Sequence, residues 1–105
     1  MRSLKPAKLR DVLAIFETEM SRLHPEHRRL IESLRITPRL IGVLRYPGES
    51  VWAVAEHEGK VLYWSDIEEG WELELPDSQG AIYDRGCSQF ELGHIAYQVF
   101  GEPAI

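Results

Sequence analysis

The sequence predicts an α+β fold in which two N-terminal helices precede an antiparallel sheet and one more helix follows it. Two patterns predict this fold. Apolar residues recur every three to four positions up to about residue 34 and again after residue 91, which is the period of a helix with one buried face. Between these segments the pattern shortens toward alternation and is interrupted by turn residues, which is typical of strands. A chain of 105 residues with 44% apolar content predicts a single domain over residues 1–105.

The first helix is predicted to run from Leu9 to Leu23. Its apolar face is formed by Leu9, Val12, Leu13, Phe16, Met20 and Leu23. The chain then leaves the helix at His24, because a residue before proline is disfavoured in helical geometry. We expect His24 to cap a second helix that starts at Pro25 and is ended by Thr37-Pro38.

Four to five strands are predicted for the middle of the chain, the last of them a short edge strand. They cover residues 40–46, 51–57, 61–65, 71–75 and 81–84. Glu58-Gly59 predicts a two-residue hairpin turn, since glycine accepts positive φ. The alternation of the fourth strand directs Trp71, Leu73 and Leu75 to the core, and it directs Glu72 and Glu74 to water.

The closing helix is predicted from a capping box in which Ser88 is the N-cap and Glu91 the third helical residue. Cys87 and Leu92 are placed where a hydrophobic staple would lie. Leu92, Ile95, Ala96, Val99 and Phe100 form the predicted apolar face, and Gly101 with Pro103 ends the helix.

The charge is divided unevenly along the chain. Residues 1–50 contain ten Lys/Arg and six Asp/Glu, whereas residues 51–105 contain two and eleven. The acidic half also holds all three tryptophans. Carboxylates mixed with large aromatic rings are typical of a surface that meets a cationic partner, and they would repel the phosphates of nucleic acid.

The strongest candidate binding surface is the aromatic and acidic stretch from Tyr63 to Glu74. The residues that we expect to contact a partner are Tyr63, Trp64, Asp66, Glu68, Glu69, Trp71, Glu72 and Glu74. Tyr63 and Trp64 are neighbours in a strand and must point to opposite faces of the sheet. The alternation favours a buried Trp71 and an exposed Trp64 or Tyr63. The competing expectation is that helices cover both faces and leave no aromatic ring exposed.

No catalytic, metal-binding or cofactor-binding signature is found. Cys87 precedes the closing helix, but His94 lies two turns further on and is not expected to face it. His24 and His27 supply two imidazoles at most, which is half of a zinc shell. The acidic run 66–69 lacks the spacing of a calcium loop, and no glycine-rich phosphate loop occurs. We therefore expect neither an enzyme nor a bound cofactor.

The segments Val51-Trp52-Ala53-Val54-Ala55, 61–71 and 87–92 resemble small bacterial proteins of the toxin-immunity type. In such proteins a "W-x-V-A" strand is followed by a "Y/W-x-D-I-E-E-G" strand and turn, and a helix closes the chain. The resemblance covers residues 51–100. It implies a cytoplasmic protein that binds and neutralises a basic toxin and has no catalytic activity of its own.

Other functions remain as alternatives. A small acidic secretion chaperone that binds an effector client is the first of them, followed by a small enzyme that uses Cys87 or the histidines and by a scaffold subunit. The partner is expected to be a protein and not nucleic acid or a membrane, and the chain is expected to be a monomer or a homodimer. A lone cysteine and the lack of an apolar leader predict a cytoplasmic location.

Overall fold

The computed structural model describes residues 7–66, 69–86 and 89–103. In this part of the chain there are three helices and four strands. They are α1 (Leu9–Met20), α2 (Pro25–Ser33), β1 (Arg35–Gly42), β2 (Ser50–His57), β3 (Lys60–Ser65), β4 (Gly70–Glu74) and α3 (Leu92–Phe100). None of these helices is long and apolar enough to cross a membrane.

The predicted α+β class is confirmed, and the strands form an antiparallel meander in the order β1-β2-β3-β4. All three helices pack on one face of the sheet. Their shared core contains Val12, Phe16, Met20, Ile31, Val54, Ala55, Leu62, Trp71, Leu92, Ile95 and Ala96. The expectation that helices cover both faces is therefore wrong. The other face, which we call the second face, has its own smaller core.

The start of α2 follows the prediction, because His24 Nδ1 accepts a hydrogen bond from the Glu26 backbone N–H at 3.1 Å. Its end does not. The helix stops at Ser33, and β1 begins at Arg35 and continues through Thr37-Pro38. The pairing of β1 with β2 shifts register between Arg35 and Arg39, and this irregularity accommodates a proline in an outer strand. Consequently β1 begins earlier than predicted, and residues 43–49 form a turn.

The hairpin between β2 and β3 is confirmed. Glu58 has φ of 50° and Gly59 has φ of 83°, so both turn residues are left-handed, as a tight two-residue turn requires. A second register shift lies in β2 between Ala53 and Ala55. The irregularity places Val54 and Ala55 together in the helix-side core, while Ala53 belongs to the second-face core.

Residues 76–86, which we call the strap, cover the second face. The predicted strand 81–84 is replaced here by a single parallel bridge between Ile82 and Val43. The Ile82 N–H donates to the Gly42 carbonyl, and the Leu44 N–H donates to the Ile82 carbonyl. The Ile82 side chain closes the second-face core, whose other members are Ile41, Val43, Val51, Ala53, Val61 and Tyr63.

The start of α3 also differs from the prediction. Glu91 is the N-cap rather than the third helical residue, and its backbone N–H donates to His94 Nδ1 at 3.0 Å. The expected Ser88 cap and Cys87 staple lie outside the described residues. Phe90 forms an antiparallel bridge with Trp71, and the Trp71 N–H donates to its carbonyl at 2.7 Å. This pairing fixes where the helix enters.

If Ile82 closes the second-face core, truncating it should destabilise the protein more than changing its neighbour. We expect Ile82→Ala to lower the free energy of unfolding in urea by about 2–5 kcal/mol. Tyr83→Ser is the matched control, because Tyr83 is 69% exposed, and it should change stability by less than about 0.5 kcal/mol. Equal effects of the two substitutions would contradict the closing role of Ile82.

Candidate binding surface at the outer strand

Trp71 lies at the centre of the region where the sequence predicts a binding surface. It is completely buried, as the alternation predicts. Its ring meets Phe16 of α1 and Trp64 of β3 edge to face, with centroids 5.5 and 5.3 Å apart. Trp64 itself is half-buried at the rim of the helix-side core. The two indoles are therefore parts of the core and its rim rather than a free aromatic patch.

Glu19 of α1 links Trp71 to the start of α3. Its Oε2 accepts a hydrogen bond from Trp71 Nε1 at 3.3 Å, and its Oε1 accepts one from the Leu92 N–H at 2.8 Å. The first amides of a helix have no acceptor within the helix, so the carboxylate stabilises α3 as well as the indole. This role of Glu19 is not predictable from the sequence, because nothing in the pattern of α1 reveals a partner that is distant along the chain.

Tyr63 is the buried member of the pair of which we expected one, Tyr63 or Trp64, to be exposed. Tyr63 has no exposed surface because the strap covers it, whereas Trp64 is half-buried. Its hydroxyl donates to Glu74 Oε1 at 2.7 Å and accepts from the Gly86 N–H at 2.8 Å. Burial, together with the hydrogen bond to Glu74, raises the pKa of the Tyr63 phenol far above its usual value. The phenol therefore remains a donor.

Arg85 neutralises part of the acidic segment from inside the molecule. Its side chain is fully buried, with Nη1 3.2 Å from Glu49 Oε2 and Nε 3.3 Å from Asp66 Oδ1. Asp66 is thereby half-buried in an intramolecular ion pair. The sequence offered one signal for this role, since Arg85 and Lys60 are the two basic residues of the acidic half.

Glu72 and Glu74 also differ from the expectation that both face water. Glu72 is only 7% exposed, and a side chain at Gly86 would collide with its carboxyl group. Glu74 is half-buried beside Tyr63. Glu69, with φ of 53°, is exposed at the turn before β4. Glu68 lies outside the described residues.

The eight predicted contact residues are therefore not one outward-facing patch. Tyr63, Trp71 and Glu72 are buried, because the strap and α1 cover the two faces on which they lie. For Trp71 this is what the alternation predicts, whereas for Glu72 the expected exposure to water is wrong. Whether any of the eight residues contacts a partner stays a prediction. Glu69 and the accessible part of Glu74 still present the negative charge to solvent that contact with a basic partner requires.

Leu75 is an exposed apolar residue directly after Glu74. We expected it in the core, but 69% of it is exposed, and β4 ends one residue before it at Glu74. From Glu69 to Asp77 the chain contains four carboxylates and no basic residue. Glu69 lies just before the start of β4 and Glu72 is buried, so the exposed leucine at the end of β4 is accompanied by Glu74 and Asp77.

A second group of exposed apolar side chains lies at the opposite edge of the sheet. Its members are Leu40, Leu44, Tyr46 and Tyr83. Arg45 lies among them, 5.5 Å from the Tyr46 ring centroid and 2.9 Å from Asp84 Oδ2. The charges of this group are therefore compensated within the molecule, in contrast to the end of β4.

A shallow groove of about 280 Å³ separates the end of α1 from the start of α3. Glu19, Arg22, His94 and Tyr97 are among its lining residues. The Glu19 oxygens are occupied by Trp71 and Leu92, and His94 Nδ1 is occupied by the Glu91 N–H. Within the described ranges, no three His, Cys, Asp or Glu side chains are arranged to hold a metal ion.

Comparisons with protein-family models, with curated proteins and with solved structures find no match to this chain. The geometry of the described residues therefore carries the functional argument, together with the resemblance of residues 51–100 noted above.

The role of Glu19 predicts a specific loss in Glu19→Gln. The amide keeps one acceptor oxygen, so either the Trp71 indole or the Leu92 N–H loses its partner, at a cost of about 1–3 kcal/mol in the free energy of unfolding. Glu17→Gln is the control, since Glu17 lies on the same helix in an exposed pair with Arg35, and should cost under about 1 kcal/mol. Urea unfolding compares them, and an equal cost would refute the bridging role.

The raised pKa of Tyr63 predicts a loss of stability in alkali. The unfolded chain releases the phenol proton above a pKa of about 10, whereas the folded chain retains it. The contribution of the protonated Tyr63 phenol to the free energy of unfolding is therefore complete below pH 10. Above pH 10 it falls by about 1.4 kcal/mol for each further pH unit. Urea unfolding of the wild type and Tyr63→Phe at several alkaline pH values isolates it. Parallel pH profiles of the two proteins would contradict the assignment.

Proposed function

We propose that this protein is an immunity-type inhibitor that binds a basic partner protein, a bacterial toxin, at the end of β4. The observation that supports the proposal most is the exposed Leu75, which lies between Glu74 and Asp77 in the sequence at the end of β4. An apolar anchor within a charged rim is the usual anatomy of a protein-binding surface. The resemblance of residues 51–100 to immunity proteins supports the same class, and the single cysteine is compatible with action in the cytoplasm.

The charge of this surface favours a cationic partner. Lys60 is the basic residue next to this surface, because the following residue, Val61, pairs with Glu74. The carboxylates near the end of β4 outnumber this single positive charge. Long-range attraction between opposite charges accelerates encounter, which benefits an inhibitor that must reach its target before damage is done. A partner that acts on nucleic acid is basic around its site, so an acidic inhibitor competes there with phosphate.

The proposal predicts that Leu75→Lys weakens binding to the partner at least about tenfold, because it removes the apolar anchor and adds a positive charge that repels a basic partner. Tyr83→Lys is the matched control. Tyr83 is exposed to the same 69% but lies at the other edge of the sheet, and its change should leave affinity within about threefold. Tagged wild-type protein captures the partner, mass spectrometry identifies it, and titration calorimetry measures affinity at two salt concentrations.

Co-expression then tests inhibition. The captured partner should arrest growth of a bacterial host, the wild-type protein should restore growth, and Leu75→Lys should restore it less well than Tyr83→Lys. A harmless partner, or equal affinities of the two variants, would overturn the proposal. Two results together would favour the secretion chaperone instead: a constitutive dimer in light scattering, and a larger loss of binding for Tyr83→Lys than for Leu75→Lys. The client of such a chaperone would bind the exposed apolar group Leu40, Leu44, Tyr46 and Tyr83.

A further inference from the structure

The two outer edges of the sheet differ in their free hydrogen-bonding groups. At β1, the strap residue Ile82 occupies the outward Gly42 carbonyl and the outward Leu44 N–H. Pro38 has no N–H to offer. Leu40 lies between Pro38 and Gly42, and among the described residues no backbone group pairs with its outward N–H and C=O. A proline and a covering segment are common protections against strand addition.

The edge of β4 is more open. The Trp71 N–H points outward to the Phe90 carbonyl, so the alternation of an antiparallel strand directs the Leu73 N–H and C=O outward as well. β4 ends at Glu74, and the same alternation continued by one residue directs the Leu75 N–H and C=O outward. Within the described part of the chain, no backbone group pairs with their outward atoms. With respect to the described residues, the backbone of residues 73–75, which we call the open edge, therefore presents two unpaired donors and two unpaired acceptors to a further strand.

The side chains of the open edge specify what such a strand would carry. Leu73 and Leu75 share the helix side of the sheet with Trp71, and Leu75 is the more exposed of the two leucines. Glu74 points to the second face, where one oxygen accepts from the Tyr63 hydroxyl. Directly opposed residues of neighbouring strands lie about 5 Å apart, so the residue opposite Glu74 meets its carboxylate.

We propose that the open edge takes an extended segment of the partner protein as a fifth, antiparallel strand. In this strand, apolar residues lie opposite Leu73 and Leu75, and a lysine or arginine lies between them opposite Glu74. The backbone supplies the hydrogen bonds and the alternate side chains supply specificity, as in other cases of strand addition. This inference rests on the proposed function and specifies the partner's binding segment.

A synthetic peptide tests the inference without the natural partner. The probe is an acetylated and amidated pentapeptide with the sequence Thr-Val-Lys-Val-Thr. One control replaces its lysine by glutamate, and another carries N-methyl groups on both valines, which removes the donors to the open edge. Nuclear magnetic resonance titration at millimolar peptide gives the affinity, and amide hydrogen exchange locates the contact.

We expect the lysine peptide to slow exchange of the Leu73 and Leu75 amides and to bind about tenfold more tightly than the glutamate peptide. The N-methylated peptide should not bind. Glu74→Lys should reverse the preference between the lysine and glutamate peptides. Leu75→Pro removes an outward N–H and leaves the Glu74–Tyr63 hydrogen bond in place, so it should lower the affinity for the lysine peptide by about tenfold. This variant keeps the inference falsifiable if Glu74→Lys does not fold.

Equal affinity for the lysine and glutamate peptides, protection at other amides, or no binding at millimolar concentration would overturn the inference. These results are separable from those that test the proposed function. A captured toxin that depends on Leu75 but leaves the Leu73 amide unprotected refutes strand addition alone. Peptide binding at the open edge by a protein that captures no toxin refutes the proposed function alone.

Discussion

The structure depends most on the burial of Trp71. The residue joins four elements, because its ring packs against α1 and β3, its indole N–H bonds to Glu19 of α1, and its backbone N–H bonds to Phe90 just before α3. An indole buried without an acceptor would leave a polar group unsatisfied, so Glu19 is needed for the ring to lie there. The same carboxylate also holds the first amide of α3, which couples the position of the last helix to that of the first.

The strap explains how a sheet with all its helices on one side covers its other side. Ile82 closes the second-face core, and Arg85 enters between Glu49 and Asp66. Tyr63 then provides the hydrogen bonds that tie Gly86 to Glu74. Buried charges need partners that offset the hydration they lose. Here Arg85 of the strap is the partner of Glu49 and Asp66, which lie in turns beside the sheet.

The uneven charge of the chain is partly compensated by tertiary pairing. Arg39 of β1 pairs with Glu56 of β2 at 3.2 Å, and Arg45 pairs with Asp84 of the strap at 2.9 Å. The basic first half thereby neutralises carboxylates of the second half at the β1 edge. At the other edge, where β4 ends, this compensation is much weaker, and an exposed leucine lies beside the remaining negative charge.

The elements whose causes are local are predictable from the amino-acid sequence. The period of apolar residues, the Glu58-Gly59 turn and the His24 cap depend on neighbours within a few residues, and all three are confirmed. Alternation also placed Trp71 in the core correctly. The burial of Tyr63 and Glu72 and the exposure of Leu75 depend instead on tertiary contacts. Those outcomes depend on where the strap crosses the sheet and where the helices stop, and alternation assigns a side chain to a face without saying what covers that face.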